Sequence, residues 1–169
     1  MAEIRYYWED LGVGTTRDLG TVTLTAQEIK DFARQFDPQP FHLDEEAGRR
    51  SIFGGLCASG WHTCSLAMRL TVQNFLHASS SMGSPGLENL KWLKPVYPGD
   101  TLRLQHVILE SRPLRSRPDV GLVRSRWEMS NQRGEPVMQM EGYGMFRRRH
   151  PATPEEMDRS ETNGQGSSE

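Results

Sequence analysis

Eight residues, DPQPFHLD at positions 37–44, bring together groups suited to moving a proton. Asp37 supplies a carboxylate. His42 supplies an imidazole that changes charge near neutral pH and can take a proton from water. Pro38 and Pro40 restrict the backbone between them, so the two side chains can be presented in a fixed relation with one water held between. The stretch reads as a stiff, extended loop, neither helix nor strand. A plainer reading fits the same residues: Asp37 caps a turn and His42 is a hydrogen-bonded loop histidine.

A second group of residues lies in ASGWHT at 58–63. Ser59 is suited to cap a helix. The first N–H groups of a helix are unpaired and lie at the positive end of its dipole. Glycine lets a ligand approach that backbone closely. The Gly60 N–H is therefore a candidate donor to a carbonyl oxygen that gains charge during a reaction; a tight helix entry that needs glycine for packing is the alternative. Trp61 and His62 fall in the first helical turn and read as pocket-lining or structural. Gly54 and Gly55 read as turn residues. His77 and His106 receive no catalytic role. Arg112, Arg115, Arg117 and Arg124 cluster around a loop, either as a solvated face or as contacts for the phosphates of a large anionic ligand.

The elements that position these groups are legible from periodicity. GTVTLT at 20–25 alternates with β-branched residues as a strand does. Thr25 and Glu28 make a capping-box pattern, and Ile29, Phe32, Ala33 and Phe36 follow at helical spacing. Asp37-Pro38 ends that helix, and a short helical turn begins at Asp44. The segment 53–78 is the most apolar. Trp61, Cys64, Ser65, Met68, Val72 and Phe75 recur at helical spacing, widened by Leu66, Ala67 and Leu70, which predicts a buried helix of about 18 residues. Strands follow: 86–96, a YPGD turn, 101–114 with Leu102 and Leu104 inward and then, after a shift, Val107 and Leu109. RSRPD breaks the pattern. Two further strands at 120–132 and 136–149 are joined through NQRGE. Short connections imply an antiparallel sheet. The fold class is α+β, with five or six strands wrapping one long helix.

Composition narrows the partners. The chain has 169 residues with a net charge of −2, so there is no electrostatic case for nucleic acid. No apolar run is long enough for a membrane helix, and MAEIRYYWED lacks a secretory core. Cys57 and Cys64 are too few for a disulfide framework or a zinc site and read as reduced core residues, consistent with a cytoplasmic protein. No metal or cofactor is called for. One domain over 1–149 is expected. The tail 150–169 is poor in large apolar residues and expected to be disordered.

Taken together, FARQFDPQPFHLDEEA, FGGLCASGWHT and LKWLKPVYPGDTL closely resemble the MaoC-like dehydratase family, in its (R)-specific enoyl-CoA hydratase branch of the hot-dog superfamily. The resemblance spans residues 5–148. It implies a hot-dog fold, a homodimer or larger homo-oligomer, and an acyl-CoA or acyl carrier protein thioester as substrate. The family motif Asp-x-Asn-Pro-x-His stands here as Asp37-Pro38-Gln39-Pro40-Phe41-His42. It implies that His42 and Asp37 act on one water and that the Gly60 N–H holds the thioester oxygen. Gln39, Phe41, Ser59, Trp61 and His62 would contact the substrate. Gln39 replaces the family's usual asparagine, and Ser59 its usual histidine. An acyl-CoA thioesterase is a second reading, disfavoured because 61–76 holds no acidic residue. A non-catalytic acyl-thioester binder is a third.

Overall fold

Thr25 and Glu28 do close a reciprocal cap. The Glu28 N–H donates to Thr25 Oγ1 at 3.2 Å and the Thr25 N–H to Glu28 Oε2 at 2.8 Å. They start α1 (Ala26–Phe36), which buries Ile29 and Ala33 and leaves Phe36 exposed. The computed structural model describes residues 3–153 and 155–156. Two short helices follow, α2 (Pro40–Leu43) and α3 (Glu45–Arg50), the latter capped by Asp44, whose side chain accepts the Ala47 N–H. The main helix is α4 (Gly60–Asn74).

Five strands form one sheet: β1 (Thr16–Thr23), β2 (Ser81–Trp92), β3 (Thr101–Leu114), β4 (Arg117–Ser130) and β5 (Pro136–Arg147). Their order is β1-β3-β4-β5-β2, with every pairing antiparallel. Leu66, Ala67 and Leu70 of α4 pack into one core with Leu102, Leu104, Ile108, Val123, Met138 and Met140 of the sheet. A sheet wrapped on one central helix is the hot-dog arrangement, in α+β form.

Three expectations are corrected. Helix α4 has 15 residues rather than about 18, and its buried side is His62, Thr63, Leu66, Ala67, Leu70 and Thr71. Trp61, Met68 and Val72 are exposed. An all-round apolar helix gives no phase, and threonine is not excluded from its inner side: Thr71 Oγ1 donates to the Ala67 carbonyl at 2.7 Å. Cys57 is buried, but Cys64 is only half-buried. On β3 the inward alternation continues without a shift through His106 and Ile108, and the register breaks after Ile108.

Strand boundaries move as well. β1 begins four residues before the expected start, and β2 begins at Ser81, through Gly83 and Gly86 at positive φ. β4 begins at Arg117, so Arg115 and Ser116 alone make the turn. The start of the expected tail is tied to the body, with the Ala152 N–H donating to the Pro118 carbonyl at 2.9 Å. Residue 154 and residues 157–169 of that tail lie outside the described residues. Among the described residues, no helix is long and apolar enough to cross a membrane.

Candidate active site

Asp37 is the C-terminal cap of α1; its N–H donates to the Ala33 carbonyl at 2.9 Å. Pro40 then opens α2, where a missing N–H costs nothing because the first helical N–H groups have no partner. This corrects the reading of the stretch as purely extended: His42 rides on one turn of helix. The turn points its ring inward, and His42 is 5% exposed.

The imidazole is held from both sides. Nδ1 lies 2.7 Å from the Cys57 carbonyl oxygen. A carbonyl only accepts, so Nδ1 carries a proton, and Nε2 is the ring nitrogen left to exchange one. Nε2 lies 3.3 Å from Asp37 Oδ2. The pair is thus closer than one intervening water, and both groups face the same open space. Phe41 meets the His42 ring edge-on at 4.6 Å and packs on Phe53 at 5.2 Å.

Both residues that depart from the family pattern act on Asp37. Gln39 Nε2 donates to Oδ1 at 2.8 Å, and Ser59 Oγ donates to Oδ2 at 2.7 Å. Burial pushes the Asp37 carboxyl up, but the Ser59 and Gln39 donors and the neighbouring His42 outweigh it, and the net shift is below the ordinary value. Asp37 is therefore a carboxylate at neutral pH. Ser59→Ala is expected to raise the Asp37 carboxyl, read directly by carbon-13 NMR titration. The folded value is depressed, so this pairing stabilises the fold above the unfolded carboxylate range, near pH 4, and the benefit fades as pH falls through the folded value. The variant is expected to be less stable than the parent at every pH, because the hydroxyl also caps α4, and the deficit is expected to be larger above that range than below it, which urea unfolding at a series of pH values checks.

Ser59 also caps α4, since its Oγ accepts the Trp61 N–H at 3.3 Å. Gly60 opens that helix, and no acceptor for its N–H is found among the described residues. Its second function is spatial: a Cβ built there would stand 2.3 Å from Cε2 of Trp92. Trp92 meets Trp61 edge-on at 5.2 Å. Between these elements runs a cleft of about 390 Å³.

Of the eight residues predicted for the site, Asp37, Gln39, Phe41, His42, Ser59, Gly60 and Trp61 line this cleft. His62 does not, and that expectation is corrected. At about 100° per residue it turns away from Gly60 and Thr63 and stacks on Phe32 at 4.6 Å, with planes 4° apart. Sequence reading misses Phe53, Cys57, Trp92 and Lys94 as wall residues. Trp92 and Lys94 carry a signal, since WLKP ends a strand with a large aromatic and a cation, but nothing local says that it faces Gly60.

Cys57 is a wall residue, not a nucleophile. Burial pushes its thiol up to about 11 and Asp37 adds to this. At pH 8 about one thiol in a thousand is ionised. Native protein is expected to leave Cys57 unmodified by a disulfide reagent at pH 8, with modification only on unfolding; peptide mass mapping reads the outcome. Two arginines of the cluster are already engaged by carboxylates. Arg117 is paired with Asp119, and Arg124 with Glu110, Glu141 and Glu88.

The model of the MaoC like domain family matches residues 11–126 of this chain. The crystal structure of the MaoC-like dehydratase from Rhodospirillum rubrum is 44% identical, covers 86% of this chain and 99% of that one, and superposes with a TM-score of 0.82. The protein YdeM of Bacillus subtilis, itself uncharacterised, is 26% identical over 133 residues, 79% of this chain and 93% of that protein. The R-hydratase PhaJ1 from Pseudomonas aeruginosa shares the fold, with a TM-score of 0.68 and 24% identity over 84% of this chain and 86% of that one. Matches to two further curated relatives span 30% and 22% of those relatives' own lengths.

Proposed function

The chain belongs to the MaoC-like domain family, and on that footing we propose that it is a hydro-lyase that adds water reversibly to a trans-2-enoyl thioester and forms the (R)-3-hydroxyacyl thioester. One observation carries the reading: His42 Nε2 and the Asp37 carboxylate stand 3.3 Å apart on the wall of a cleft.

Water binds on the cleft side of the pair, within reach of both groups, and donates to Asp37, which orients it. His42 Nε2 takes one proton as the oxygen bonds to C3. The π electrons pass to the thioester oxygen, which draws on the Gly60 N–H at the positive end of α4. The His42 imidazolium then returns the proton to C2. One water thus supplies both hydroxyl and hydrogen on one face, giving syn addition. Because Ser59 and Gln39 keep Asp37 ionised, His42 carries the proton by itself, and Asp37 stabilises the imidazolium that forms.

A second copy of the chain is part of this reading. β2 is a sheet edge, and Leu87 on it is 51% exposed; Trp61, Met68 and Val72 line an open face of α4. Exposed edge strands invite pairing, and a homodimer would cover both surfaces. Light scattering of the purified chain tests it, and a monomer at micromolar concentration rejects it. The substrate carrier, CoA or acyl carrier protein, belongs to the same proposal.

The test of the reaction is direct. Purified chain is mixed with crotonyl-CoA and longer trans-2-enoyl-CoAs, and the hydroxyacyl product is resolved by chirality. The (R) product supports the reading. Free CoA without hydration replaces it with thioester hydrolysis, and no turnover with any of the series rejects it.

A further inference from the structure

The first turn of α4 carries a hydroxyl with no task in the hydration steps. Thr63 lines the same cleft as Asp37, His42 and Gly60 and is 3% exposed. Helical hydroxyls commonly close on the carbonyl four residues back. Two others in α4 do so: Ser65 Oγ donates to the Trp61 carbonyl at 2.8 Å and Thr71 Oγ1 to the Ala67 carbonyl at 2.7 Å.

Thr63 has no such outlet. The carbonyl it would use belongs to Ser59, which already accepts the His62 N–H at 3.0 Å and the Thr63 N–H at 3.2 Å. A carbonyl oxygen has two lone pairs, so a third donor is left out. Ser59 Oγ is engaged as well, with Asp37 and with the Trp61 N–H. Among the described residues the Thr63 hydroxyl has no hydrogen-bond partner, yet its oxygen is not one of the enclosed unpaired atoms, as His62 Nδ1 is. On a residue this buried, such a hydroxyl opens on the space that the residue borders, which is the cleft.

Helical side chains lean toward the N-terminal end of their helix and lie over the preceding turn. Residues three apart are neighbours on one face. Thr63 therefore lies over the turn that begins at Gly60, where glycine presents no side chain of its own. The Gly60 N–H points out of that same end of the helix and has no acceptor among the described residues. A backbone N–H and a hydroxyl are thereby directed toward one region of the cleft.

We propose that the Thr63 hydroxyl is a second donor to the thioester carbonyl oxygen, acting beside the Gly60 N–H on the charge that gathers there as water adds. This rests on the hydro-lyase reading. A donor so placed holds the charged oxygen of the addition step more strongly than the neutral carbonyl, so it acts on kcat more than on KM.

Two measurements test it. With crotonyl-CoA, Thr63→Val keeps the shape, removes the donor and is expected to lower kcat about 10²-fold with little change in KM. Thr63→Ser is expected to restore most of the rate. Thr63→Ala repeats the loss if the valine variant does not fold, and thermal melting is the control. The second measurement needs no turnover. Butanoyl-CoA is saturated and cannot be hydrated; it carries a carbon-13 label at the thioester carbonyl. Its carbonyl infrared band is expected to move to lower frequency on binding the wild-type chain, to recover part of that shift in Thr63→Val, and to return to the wild-type position in Thr63→Ser. Equal band positions in wild type and Thr63→Val overturn the proposal and leave a cleft water as the partner of the hydroxyl. Failure of butanoyl-CoA to bind also overturns it, as does a loss confined to KM. If the band depends on Thr63 and hydration of enoyl-CoAs is absent, the donor to the carbonyl stands and the hydro-lyase reading falls. If Thr63→Val hydrates at the wild-type rate, the hydro-lyase reading stands and the donor falls.

Discussion

Replacing His42 by glutamine is expected to slow hydration of a trans-2-enoyl thioester by about 10²- to 10⁴-fold in kcat, the usual contribution of a positioned acid–base group. Glutamine fills similar space and can still meet the Cys57 carbonyl that now accepts from Nδ1 at 2.7 Å, but it has no lone pair basic enough to take a proton from water. Substrate binding is expected to change little, because His42 does its work on the water. Asp37→Asn tests the partner. It keeps the shape and removes the charge that stabilises an imidazolium 3.3 Å away, and it turns an amide N–H toward groups that now donate, Ser59 Oγ or Gln39 Nε2. Steady-state kinetics with thermal melting as the folding control reads both variants. Wild-type rates in either, at unchanged melting temperature, would remove that residue from the mechanism.

The second large effect is expected at a residue that touches no substrate. Gly48 lies in α3, and a Cβ there would stand 2.4 Å from the Leu56 nitrogen and 2.5 Å from the Gly55 carbonyl carbon. These are backbone atoms, so no side chain can swing aside. Gly48→Ala is expected to cost about 1–3 kcal/mol, the range for overpacking, measured by urea unfolding. It is also expected to lower kcat in the fraction that remains folded. The displaced stretch of chain runs directly into Cys57, whose carbonyl fixes the His42 tautomer. Gly60 is the contrast. Its obstacle is the Trp92 ring, a side chain with freedom to move, so Gly60→Ala should disturb the cleft more than the stability.

The Asp37–His42 pair is legible in the sequence because it is local. The four residues between them, two of which are prolines, leave few ways to arrange two side chains, and the spacing matches a known motif. The Thr25–Glu28 cap and the 101–114 strand are legible for the same reason: their bonding partners or periodicity lie within a few residues. The partners of the pair are not. Ser59 lies 22 residues from Asp37 and Cys57 lies 15 from His42. Ser59 stands out as a departure from a pattern, and nothing in its neighbourhood says that its hydroxyl holds the Asp37 carboxylate.

His62 and His106 show the other boundary. His62 shares a helical turn with Gly60, yet one residue's rotation carries it onto Phe32 and away from the cleft. His106 interrupts the apolar alternation on β3, which suggests a shift there; the strand instead keeps its register through Ile108 and buries the imidazole beside Arg17 and Trp127. The sequence by itself determined the class of fold, the helix that the sheet must wrap and the closeness of the Asp37 carboxyl to the His42 ring, since each depends on short-range periodicity or on backbone stiffness. Only the tertiary structure decided which face of α4 is inside, which donors hold Asp37 ionised and that the Arg17 guanidinium lies over the Phe75 and Tyr6 rings. Those outcomes depend on contacts between segments far apart in the chain, where packing selects among arrangements that local sequence leaves equal.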